Sequence, residues 1–73
     1  AYRRAAGEAV AQARQALADL EKYNLNAEQR GTAERVRVFL NQAEAARNDD
    51  LVRARSLAER ANILAQDLLR RVQ

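Results

Sequence analysis

Few side chains in this sequence could do chemistry. Thr32 and Ser56 are the sole hydroxyl nucleophiles of the Ser/Thr kind, Lys22 is the single lysine, and His and Cys are absent. Nucleophilic and general acid–base catalysis need a base within hydrogen-bond reach of the attacking group. At helical spacing Ser56 has Arg53 and Arg60, neither of them a base, and Thr32 has Glu28, a lone carboxylate with no further group to complete a catalytic set. Both are expected to be solvated or bonded to backbone, as hydroxyls on helices usually are. The chain is therefore read as non-enzymatic, with no small-molecule substrate.

Metal and nucleotide chemistry fare no better. A bundle-type metal centre draws on Glu-x-x-His pairs from facing helices, which cannot exist without His. Asp49-Asp50 is the one adjacent acidic pair, and the segment around it lacks the offsets and bend glycine of a calcium loop. Helix capping accounts for it better. Gly7 and Gly31 stand alone, with no phosphate-loop spacing around them. No metal and no cofactor are expected.

Charge is the remaining resource. Thirteen basic residues, twelve of them Arg, oppose ten acids, giving +3. The signs are interleaved, unlike the single-sign clusters of most nucleic-acid-binding surfaces. Several acids precede an arginine by three or four residues: Glu34 to Arg37, Glu44 to Arg47, Asp49 to Arg53, and Asp67 to Arg70 and Arg71. Such pairs read as a solvated outer face contributing about 0.2 to 0.5 kcal/mol each. Arg30, Arg35, Arg37, Arg53 and Arg60 form the alternative, a basic strip for weak binding to nucleic acid or an anionic membrane surface. Without interleaved aromatics for base stacking, nucleic acid is the disfavoured partner.

The elements that must position these residues are helices. Pro is absent, β-branched residues are few, and Ala alone supplies 17 positions, so summed propensity is helical almost throughout. Three segments are expected, over about residues 2–22, 27–47 and 50–72. In the first, Ala6, Ala9, Ala13, Ala16 and Leu20 make a stripe at 3-and-4 spacing, flanked by Val10 and Leu17. Tyr23 to Asn26 breaks the pattern, and Asn26 followed by Gln29 reads as a capping box. The second segment points Thr32, Val36, Phe39, Ala43 and Ala46 inward, with Ala33 and Leu40 on the flank, and Gly31 allows its start to slip to Thr32. Asn48 is expected to close it in a left-handed conformation, and Asp49 or Asp50 to cap the third. There Leu51, Ala54, Ala58, Ala61, Ala65, Leu68 and Val72 form the longest stripe, broadened by Leu57 and Leu64.

Short connections between three helices predict an all-α, antiparallel three-helix (up-down-up) bundle forming one domain. The alternative joins the first two helices into one rod and leaves a two-helix hairpin that dimerises into a four-helix bundle. No run of apolar residues is long enough to span a membrane, and no basic segment precedes an apolar one as in a signal peptide. Without disulfide or metal, a small Ala-rich core is marginal. The two alanine stripes, Ala6 to Leu20 and Leu51 to Leu68, are accordingly expected to pack on another copy or another protein.

From Asp50 the chain reads Asp50-Leu51-x-x-Ala54-x-x-Leu57-Ala58-x-x-Ala61-x-x-Leu64. This resembles the second helix of a tetratricopeptide-like hairpin with its preceding acidic turn. The first-helix signature is missing, and an offset of about 34 residues reveals no internal repeat. The stretch from Phe39 through Leu68 is also similar to the Ala- and Arg-rich helical regions of bacterial cell-envelope proteins. That resemblance implies a bacterial origin, a scaffolding or partner-binding role and an envelope location, and carries over no functional residue.

Overall fold

The computed structural model describes residues 2–73, with side chains from residue 3 onward. Three helices account for most of them: α1 (Tyr2–Leu20), α2 (Ala27–Ala46) and α3 (Leu51–Val72). They form the three-helix bundle expected, with separate first and second helices. Residues 21–26 part α1 from α2 because Asn26 builds a complete capping box. The Gln29 backbone N–H donates to the Asn26 Oδ1 at 2.8 Å, and the Asn26 N–H donates to the Gln29 Oε1 at 2.9 Å. Two otherwise orphaned donors are satisfied at once, which fixes α2 to start at Ala27 despite Gly31.

The boundaries depart from expectation by one or two residues. α1 stops at Leu20 because its last turn tightens: the Lys22 and Tyr23 N–H groups donate three residues back, to the Asp19 and Leu20 carbonyls. α2 ends at Ala46 in right-handed turns, with the Asp49 and Asp50 N–H groups both donating to the Ala46 carbonyl at 3.1 and 2.8 Å. Asn48 is therefore not a left-handed cap, and no described residue has positive φ. Asp50 sits just outside α3 as its N-cap, its carboxylate accepting from the Arg53 N–H at 3.0 Å.

Both α1 and α2 pack along α3 and meet each other only lightly. The result is an elongated molecule of 36 × 17 × 14 Å. Of 17 buried apolar residues, ten are Ala, and the largest side chains with essentially no exposure are Leu20 and Val36. Helix α2 is rotated from the orientation read in the sequence. Ala33, Val36, Leu40 and Ala43 are buried, while Thr32, Phe39 and Ala46 are half-buried. The Ala row of α3 brings its backbone close to α2, which favours the narrower Ala33/Leu40 edge over bulky Phe39 facing the core.

Two stability predictions follow from these termini. Asp50→Ala removes the N-cap and is expected to cost about 0.5 to 2 kcal/mol, a melting-temperature fall of roughly 4 to 8 °C per kcal/mol, while Asp49→Ala leaves the melt nearly unchanged. Paired thermal melts decide it; equal losses would show that both aspartates cap. Gly31 has a helical backbone and nothing within 4 Å of where a Cβ would lie. Gly31→Ala is expected to stabilise by about 0.5 to 1 kcal/mol in the same assay, and a lower melting temperature would contradict it.

Candidate functional site

The alanine stripes are inside the chain. Ala6, Ala13, Ala54, Ala58, Ala61 and Ala65 have no exposed surface, and Ala9, Ala16, Leu20 and Leu68 are also buried. Leu51 alone among the eleven is half-buried. A stripe of methyl groups on one helix is complementary to a stripe on its neighbour, so α1 and α3 satisfy each other's need for a partner. The expectation that these faces receive a second molecule is therefore corrected: they are the seam of this bundle, closed to a partner in this conformation.

Polar contacts flank the seams. On the α1–α3 side, the Asn62 amide donates to the Gln12 Oε1 at 2.8 Å, and the Gln66 amide donates to the Asn62 Oδ1 at 3.2 Å. On the α1–α2 side the helices run antiparallel, and long charged side chains span the gap. Arg14 faces Glu44 and Arg37 faces Glu21, each at 3.8 Å. The Arg47 guanidinium lies 3.5 Å from where a Cβ on Gly7 would be, so the absent side chain at Gly7 leaves room for it. Below these straps the surface forms open hollows of about 340 and 390 Å³, with Leu17, Leu20, Leu25 and Leu40 in their walls.

The five arginines of the basic strip divide into two groups. Arg30 donates to the Leu25 carbonyl at 2.7 Å, and Arg37 pairs with Glu34 at 3.1 Å as well as with Glu21. Arg35, Arg53 and Arg60 engage no carboxylate among the described residues. The expected Asp49–Arg53 pair does not form, since Asp49 precedes the helix and has no place in its i,i+4 geometry. The pairs of Arg47 with Glu44, and of Arg70 and Arg71 with Asp67, form as read. Thr32 donates weakly to the Glu28 carbonyl at 3.4 Å. Ser56 lies in a shallow hollow of about 360 Å³ together with Val52, Arg53 and Arg60.

The structure also exposes large aliphatic residues that the alanine stripes do not foretell. Ile63 is 68% exposed, Val52 60% and Val38 46%. Eleven residues is close to three full helical turns, so Val52 and Ile63 stand in line on α3, on the side opposite Ala54, Ala58 and Ala65. The signal was present as that spacing, masked by the stronger alanine stripe. Among the described residues, no three His, Cys, Asp or Glu side chains gather to hold a metal ion, and no helix is long and apolar enough to cross a membrane. Comparison with protein-family models, curated proteins and solved structures finds no match to the chain.

Overpacking tests the seam directly. Ala58→Leu places a larger side chain where no space remains and is expected to cost about 1 to 3 kcal/mol. The exposed control Ala11→Leu should stay within about 0.5 kcal/mol of the parent in denaturant titration. A tolerated Ala58→Leu would mean that α1 and α3 are not locked by close approach.

Proposed function

We propose that the chain is a non-enzymatic helical module that works by contact with another protein, in a scaffolding role. The observation that carries this reading is the pair Val52 and Ile63, two large aliphatic side chains aligned on the solvent-facing side of α3 and more exposed than any other large apolar residue described. Apolar surface held in water is unfavourable by about 25 cal/mol per Å², and a partner helix laid along this face would remove it. The core supports the same reading, because its small side chains bury little apolar area and leave the isolated bundle near the margin of stability. Association would supply the missing burial. The envelope setting and bacterial origin belong to this proposal as implications of the sequence resemblance alone.

The test is sedimentation combined with thermal melting over a wide concentration range. The expected result is a chain of modest melting temperature that rises with protein concentration or with added partner. A strict monomer melting above about 90 °C at every concentration would remove the argument from marginal stability and overturn the proposal.

A further inference from the structure

We infer that the outward side of the α2–α3 pair is a docking face for an acidic amphipathic helix of a different protein. The inference rests on the interaction reading above and supplies its surface and the chemistry of its partner. α2 and α3 run antiparallel, with Thr32 beside Leu68 at one end of their seam and Ala46 beside Asp50 and Arg53 at the other. That register sets Val38 level with the middle of α3 and Arg35 about one turn further along, toward Leu68. Val52, Arg53 and Arg60 line one hollow on α3, Ile63 stands in line with Val52 three turns on, and α2 beside it carries the exposed Arg35 and Val38.

The absence of internal partners here has a cause in the sequence. Arginines that pair within their own helix, such as Arg37, Arg47, Arg55 and Arg71, have an acid three or four positions away. Around Arg60 those positions hold Ser56, Leu57, Ile63 and Leu64; around Arg35 they hold Gly31, Thr32, Val38 and Phe39. Arg53 does have aspartates at those distances, but the Asp50 carboxylate is turned onto the α3 backbone as its cap, and Asp49, outside the helix, forms no ion pair with it. Aliphatic groups therefore stand where other arginines have carboxylates, and the charge is left for an external acid.

Charge decides among occupants. A second copy, also at +3, would set these arginines against their own kind. A phosphate backbone would use the guanidiniums but leave Val38, Val52 and Ile63 exposed, with no fully exposed aromatic ring beside them for stacking. An acidic amphipathic helix uses both, its apolar stripe on the aliphatic residues and its flanking carboxylates on the arginines.

The probe is a fluorescein-labelled synthetic peptide of about three heptads, with Leu at a and d, Glu at e and g, and Ala elsewhere. Anisotropy titration against the full chain should show saturable binding, and methyl NMR should place the shifts at Val38, Val52 and Ile63. Arg53→Glu/Arg60→Glu, with its fold checked by circular dichroism, should weaken binding at least about tenfold. Arg3→Glu/Arg4→Glu makes the same change in net charge at two arginines of α1 that form no ion pair among the described residues, and should weaken it far less. Ile63→Ser should weaken binding with an unchanged melt. Absence of binding, equal loss in the Arg3/Arg4 variant, shifts confined to the α1–α2 hollows, or tighter binding of duplex DNA or phosphatidylglycerol vesicles through the same arginines would each overturn the inference. If the peptide fails while sedimentation still shows association, this face falls and the interaction reading stands.

Discussion

Close approach of α3 to both of its neighbours is the constraint on which the rest of the structure depends. Methyl groups at Ala13, Ala43, Ala54, Ala58, Ala61 and Ala65 are wholly buried, and a methyl is the shortest side chain that still fills the space between two helices. Alanine loses no rotamer freedom on burial and has the highest helix propensity of any residue. The bundle therefore offsets its small apolar area by a low entropic cost of ordering and by backbones brought within dispersion range. Val10, Leu20, Val36 and Leu40 are enclosed with the methyl groups, and the other larger residues sit at the flanks. Leu57, Leu68 and Leu69 are buried at the edges of the alanine rows, whereas Leu17, Leu64 and Phe39 are only partly covered.

A helix that spends its small face on α3 has little apolar surface left for a third contact, and this accounts for the light α1–α2 junction. Arg14, Arg37 and Arg47 reach across it, their aliphatic stems covering apolar wall while their guanidiniums stay in water. Exposed ion pairs at 3.8 Å contribute about 0 to 1 kcal/mol each, so they set alignment more than stability. The Gln12, Asn62 and Gln66 amides do the corresponding work between α1 and α3, since their directional bonds prefer one register of otherwise interchangeable methyl groups.

The helices, their number and the Asn26 capping box were legible because each is written in local residues. Propensity, a 3-and-4 stripe and an Asn three positions before Gln need no knowledge of the partner. The destination of the stripes was not legible. Nothing at Ala13 or Ala58 states whether the complementary surface is in the same chain or another. The rotation of α2 was likewise hidden, because Val36 is inward in either orientation and only the closeness of α3 favours Leu40 over Phe39. Asn48 misled for a local reason: a residue that tolerates the left-handed conformation does not require it, and right-handed turns onto the Ala46 carbonyl already serve the backbone.

Local pairing also divides the surface. Where an acid falls one turn from an arginine, as at Glu34 and Arg37 or Asp67 and Arg71, the charge is largely spent within a single helix. Between Val52 and Leu64 the lone acid, Glu59, is taken by Arg55. Arg53 and Arg60 form no ion pair among the described residues, Asp50 beside them being turned onto the helix backbone, and Ile63 and Val52 are left exposed. Neither feature helps the bundle fold: unpaired guanidiniums repel one another and exposed aliphatic groups order water. Their occurrence together on α3 therefore falls outside what packing demands, in contrast to Arg14, Arg30, Arg37 and Arg47 on the strapped α1–α2 side, which each answer a carboxylate or a carbonyl of the same molecule.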